Sequence, residues 1–181
     1  MTYLLPFRFL LPGMALLLLL GGCCANNVCD CNDAQEDQIK LVFSPAFTPA
    51  DLDTVFVQRY PLTIKSDTKP ETVTIIRPAT RVYDPIELNN ATPFAPVGSV
   101  RLNNYRYVVR YAATPRQRRT SIALVIDNVG LKGSFDGNGC CTCYHNLSKT
   151  VTFRRDSATA QIADSTRNLR ERATPVLIIR K

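Results

Sequence analysis

Apolar and polar residues alternate in short runs over most of this chain, the two-residue period of strands whose successive side chains point to opposite faces. Ile39, Leu41 and Phe43 alternate with Lys40, Val42 and Ser44, and Pro45 ends the run. Residues 54–60 are rich in β-branched and aromatic side chains, with Val55, Val57 and Arg59 on one face and Phe56, Gln58 and Tyr60 on the other. Residues 71–77 follow a polar turn and are closed by Pro78. The clearest alternation sets Tyr105, Tyr107, Val109 and Tyr111 against Arg106, Val108 and Arg110, which predicts tyrosines facing a core and arginines facing water. Residues 120–127 contain the unbroken apolar run Ile122 to Ile126 and read as a return strand buried on both faces, so that 105–127 form a hairpin. Two more strands, at 149–155 and 176–179, bring the number to about seven.

Between these runs the chain is punctuated rather than periodic. Thr48, Pro49 and Asp51 have the spacing of a capped turn. Four prolines (Pro78, Pro85, Pro93 and Pro96) and the pair Asn89-Asn90 predict loops over 79–99. Gly130, Gly133, Gly137 and Gly139 predict a turn over 129–139 that delivers the chain to Cys140. Ile162, Leu169 and Ala173 form a thin helical stripe, so 157–172 read as a loose or short helix. The predicted fold is mostly β: an antiparallel β-sandwich, Ig-like or transthyretin-like in architecture, with at most one substantial helix. An immunoglobulin Cys-Trp-Cys signature is absent, because the chain has no tryptophan.

The N-terminus follows another logic. Arg8 precedes an apolar run over 9–20 that contains Pro12 and Gly13 and ends in Gly21, Gly22 and Cys23. That run is too short and too interrupted for a spanning helix, which needs about 20 apolar residues, and it has the form of an export signal. Leu20-Gly21-Gly22-Cys23 resembles the lipobox of bacterial lipoproteins, in which a large aliphatic residue, two small residues and a cysteine permit cleavage just before a lipid-modified thiol. The resemblance implies a signal peptide over 1–22 and a mature N-terminus at Cys23 carrying a diacylglycerol thioether and an amide-linked acyl chain. It also implies a membrane anchor that does not span the bilayer. With Cys24 rather than an aspartate next in line, it favours the outer membrane where there is one. The run from Thr48 to Val55 leading into Arg59-Tyr60, together with Cys140 to Tyr144, is similar to small β-rich lipoproteins of outer-membrane bacteria that carry an N-terminal cysteine cluster. That group has no established activity to pass on. The organisation expected is leader (1–22), cysteine-rich acidic tether (23–38) and one β-rich globular domain (39–181).

Charge sharpens that division. The chain has 22 basic and 15 acidic residues, a net +7. Asp30, Asp33, Glu36 and Asp37 are the only charges over 24–38, so the tether is acidic and the body strongly basic. The tether reads as a solvated spacer or as an acidic surface-export tag. The body suggests anionic envelope components as partners, with Arg106, Arg110, Arg116, Arg118 and Arg119 along the hairpin as contact surface; the bland alternative is a solvated loop with gatekeeping charges. Aromatics interleaved with arginines also occur on nucleic-acid platforms, but the alternation sends the two types to opposite faces, and no nucleic acid is expected.

Seven cysteines in an exported chain point to an oxidising compartment. Setting Cys23 aside for lipid leaves Cys24, Cys29, Cys31, Cys140, Cys141 and Cys143, an even set in two clusters whose connectivity the spacing leaves open. Bridges between the clusters would tie the tether to the body. The rival reading makes Cys140, Cys141, Cys143 and His145 a soft site for zinc or copper(I), against which the adjacent and single-gap spacings argue. His145 is the only histidine, and neither a Cys-x-x-Cys motif nor a phosphate-cradling glycine loop is present. The expected protein is a membrane-anchored envelope lipoprotein with a binding or structural role, without catalysis or cofactor. A metal-handling lipoprotein and an envelope enzyme are the alternatives.

Overall fold

The alternation over 39–43 translates directly into burial: Ile39, Leu41 and Phe43 are enclosed, while Lys40 and Val42 are half-buried. This residue-by-residue detail comes from a computed structural model, which describes residues 29, 31, 33–63, 69–96, 101–114, 120–138, 141–157, 160–161, 165–169 and 176–181. The strands, in chain order, are β1 (Ile39–Phe43), β2 (Thr54–Pro61), β3 (Glu71–Ile76), β4 (Ile86–Leu88), β5 (Tyr105–Ala112), β6 (Ser121–Asn138), β7 (Cys141–Arg154), β8 (Asp156–Ser157), β9 (Ala160–Gln161), β10 (Ser165–Asn168) and β11 (Val176–Ile179). One helical turn, α1 (Asp33–Glu36), precedes them.

Six strands form an antiparallel sheet in the order β10-β7-β6-β5-β2-β3, and three form a smaller sheet in the order β11-β1-β4. The two sheets pack face to face as a β-sandwich, the architecture that the strand count predicts. Ile39, Leu41, Leu88 and Leu177 from the small sheet meet Val55, Val57, Val109, Leu124, Ile126, Val151 and Phe153 from the large one. Each such side chain contributes about 1.5–3 kcal/mol by leaving water. The C-terminal strand departs from all-antiparallel pairing: β11 runs parallel to β1, with Leu41 opposite Leu177 and Phe43 opposite Ile179. A parallel neighbour requires a crossover connection, and the chain reaches β11 only after the large sheet has been laid down.

The β5 tyrosines behave as the alternation predicts, with Tyr105 and Tyr107 buried. Arg59, which shares a β2 face with Val55 and Val57, is carried inward too and is only 4% exposed. Its guanidinium lies 4.5 Å from the Phe94 ring centroid and 4.6 Å from that of Tyr105, and it donates to Glu71 Oε2 (2.7 Å) and the Ala95 carbonyl (3.1 Å). The charge is thus paired and stacked on its way out of water.

Two sequence expectations are corrected. The glycine-punctuated segment 129–139 is not a turn, because residues through Asn138 belong to the 18-residue strand β6. Two of its glycines provide clearance: a Cβ on Gly133 would collide with the Tyr144 ring, and one on Gly130 with the Thr150 hydroxyl. The register pairs Asn138 with Cys141, leaving only two residues to connect β6 and β7. The expected helix over 157–172 is replaced, in its described residues, by β8, β9 and β10. The edge of β7 offers Ser165–Asn168 a hydrogen-bonded ladder opposite Thr150–Phe153, and that non-local pairing outweighs the weak helical preference of an alanine-containing stretch. The region 79–99 holds no long element among its described residues, as its prolines predict, and its short strand β4 pairs with β1 and completes the small sheet.

The turn at Thr48 forms as its spacing predicts. Thr48 N–H and Oγ1 each donate to Asp51 Oδ2 at 2.8 Å, and Lys181 Nζ reaches the same oxygen at 2.7 Å. The Lys181 hydrogen bond, followed by those from Thr48, lowers the Asp51 pKa from 3.8 to about 2. Because the folded pKa is depressed, this contribution is present above about pH 4 and disappears as pH falls toward 2. The pair is solvated, so the loss should be under about 1 kcal/mol. Urea unfolding across this window should show the loss in the wild type and not in Asp51→Asn.

Candidate functional site

The longest strands outrun their neighbours. β5 pairs with β6 only as far as Ile126, and β10 pairs with β7 only over Thr150–Phe153. Beyond those points β6 and β7 continue as a two-stranded arm ending at Asn138 and Cys141. A free edge of this kind exposes unpaired backbone donors and invites strand addition. Here the acidic segment that precedes β1 covers the edge of β7.

The cover is built from carboxylates. Tyr144 N–H donates to Asp33 Oδ1 at 3.1 Å, and Asn146 N–H donates to Glu36 Oε2 at 2.9 Å, so two residues of α1 accept from successive outward amides of β7. Asp37 is only 1% exposed, and its Oδ1 accepts from Tyr144 Oη at 3.1 Å and Asn146 Nδ2 at 2.7 Å. Lys149 Nζ donates to the Gln38 carbonyl at 2.6 Å. Burial first, and then the Asp37 carboxylate, raises the Tyr144 phenol above its ordinary pKa, keeping it protonated and able to donate. Two disulfides fasten the same edge nearer the tip: Cys29–Cys141 and Cys31–Cys143, each with a sequence separation of 112. Over 33–37 the acidic segment is therefore docked to the body and does not stand off it as a spacer.

Of the six cysteines expected to pair, four are joined across the two clusters; Cys24 and Cys140, like the lipidation candidate Cys23, lie outside the described residues. With Cys141 and Cys143 bonded to sulfur, two of the four candidate metal ligands offer no thiolate in this state, and no metal-competent group of His, Cys, Asp and Glu occurs among the described residues. His145 is about half exposed, with Nδ1 3.8 Å from Glu36 Oε1, and the Cys143 sulfur beside it in sequence is not available as a nucleophile. On the hairpin, Arg106 Nε lies 2.9 Å from Asp127 Oδ1, and Arg110 Nε donates to Gln58 Oε1 at 3.1 Å. Both arginines are thus engaged within the sheet; Arg116, Arg118 and Arg119 lie outside the described residues. The sequence reading missed the docking of Asp33, Glu36 and Asp37; the signal available was the cysteine pair just ahead of that stretch, whose bridging to the second cluster brings it beside β7.

A groove of about 420 Å³ opens between β3 and β4, lined in part by Ile75, Ile76, Arg77, Pro85 and Pro93. Its buried cation, Arg77, donates to the main-chain oxygens of Arg81 and Asp84, which fixes the local turn. No protein-family model, no curated protein and no solved structure matches this chain. Among the described residues no helix is long and apolar enough to cross a membrane.

Proposed function

We propose that this protein is a lipid-anchored lipoprotein of the cell envelope with a non-catalytic binding or structural role. The observation that carries the reading is the covalent clamp just beyond the lipobox. Cys29 is bonded to Cys141 at the tip of the β6–β7 arm and lies six residues after Cys23. At no more than about 3.6 Å per residue, that connection spans roughly 20 Å, so lipid on Cys23 would keep the arm tip close to the bilayer and point the sandwich away from it. Two bridges between distant cysteines also support export to an oxidising compartment. Anionic envelope components remain the partner class that the basic body suits. On the hairpin, the contact would fall to the residues beyond Arg106 and Arg110, whose charges are held by Asp127 and Gln58.

Fractionation of cells producing the wild type and Cys23→Ser, combined with intact mass measurement, tests the anchor. The wild type should appear in the membrane fraction as a chain starting at Cys23 with the added mass of acyl groups. Cys23→Ser should accumulate unprocessed or leave that fraction. A processed wild-type chain without lipid would overturn the reading.

A further inference from the structure

We propose that the end of the sandwich away from the arm tip holds an oxyanion-binding site formed by Arg155, Arg167 and Arg180. The site stands on its own geometry and does not depend on the lipid anchor. Arg167 lies in β10 directly opposite Val151, so the alternation sets it on the face that carries the buried side chains Val151 and Phe153, and Arg155 follows directly on the end of β7. Both guanidiniums approach one ring: Arg167 lies 5.3 Å and Arg155 6.0 Å from the Phe153 centroid. Arg180 follows Ile179, the last residue of β11, and its positive charge acts on Arg155 from the small sheet.

Several other cations among the described residues have an answering group. Arg59 has Glu71, Arg77 has two main-chain oxygens, Arg106 and Arg154 share Asp127, and Lys181 holds Asp51. Arg155, Arg167 and Arg180 make no ion pair with any carboxylate among the described residues. The Nε of Arg155 is shielded from solvent and has no hydrogen-bond partner there. Burial, joined by the fields of Arg180 and Arg167, lowers the proton affinity of Arg155, as expected of cations that face one another without a counter-charge. A planar guanidinium presents forked donors that match the paired oxygens of a phosphate or carboxylate, and the aromatic surface behind it limits competing hydration. An oxyanion seated here would satisfy the orphan donor and offset the mutual repulsion. β7 is 14 residues long, so the site lies roughly 40 Å from the arm tip.

Thermal unfolding of the disulfide-bonded protein at constant ionic strength tests this, with chloride replaced in turn by inorganic phosphate and by acetate. An anion that binds the native state should raise the Tm by about 3–6 °C when present at about ten times its Kd. A rise with phosphate alone identifies phosphate chemistry, and a rise with acetate as well identifies carboxylate chemistry. Arg167→Gln should weaken the effect at least tenfold in apparent affinity. Arg180→Gln, at an exposed position past β11, should weaken it too without lowering the Tm in chloride. No rise with either anion, or a rise of equal size in both variants, would overturn the site and leave only the general salting effect of phosphate.

Discussion

Full reduction of the native protein should cost at least about 5 kcal/mol of stability, whereas removal of Cys29–Cys141 alone, by Cys29→Ser with Cys141→Ser, should cost only about 2 kcal/mol. The asymmetry follows from the geometry of the bridges. Each one, taken singly, closes a loop with a sequence separation of 112, for which the chain-entropy term is about 5 kcal/mol. They run side by side, however, so while one is intact the long loop stays closed, and the other adds only the constraint of a small ring. Chemical denaturation of the oxidised, singly bridged and reduced forms measures both quantities. Equal losses for the single-bridge variant and for full reduction would show that the two bridges do not share one loop. Reduction should also quicken hydrogen exchange at Tyr144 and Asn146, whose amides are covered by the segment the bridges hold in place.

Phe153→Ala should destabilise the protein by about 3–5 kcal/mol, the range for deleting a buried phenyl ring from a packed core. The ring is only 2% exposed, sits in β7 opposite Ile126 and Ser165, and belongs to the layer in which the large sheet meets the small one. It also supports the Arg155 and Arg167 guanidiniums, so the truncation removes core packing and the surface on which two cations rest. Phe153→Leu separates the contributions: most of the volume remains and the expected loss is under about 1.5 kcal/mol, but the aromatic face is gone. Unfolding in urea distinguishes the two variants. A loss under 1.5 kcal/mol, taken as a rough bound, for Phe153→Ala as well would mean that the ring does not bridge the sheets.

The sequence was most informative where a strand has one buried face. Ile39, Leu41 and Phe43, and likewise Tyr105, Tyr107 and Val109, point inward as their alternation predicts, because a two-residue period is a local property that any covering layer preserves. It was least informative where a residue type has two uses. Gly133 read as a turn signal and proves to be the gap under the Tyr144 ring; Asp37 read as part of a solvated spacer and proves to be a buried acceptor. The deciding partner sits on the next strand of the hairpin for Gly133 and more than 100 residues away for Asp37.

Composition and spacing alone therefore determined that this is a mostly β chain with an acidic cysteine-rich segment and two cysteine clusters able to join its two ends. Strand period and cysteine number are properties of the chain itself. Tertiary structure decided which edges are joined: β11 parallel to β1, β10 along β7, and the acidic segment over the remaining edge of the arm. It also decided which charges are answered, as Arg59 is by Glu71 and Arg106 by Asp127. Hydrogen-bonding edges and counter-charges are supplied by residues distant along the chain, and local periodicity carries no record of which distant residue will arrive.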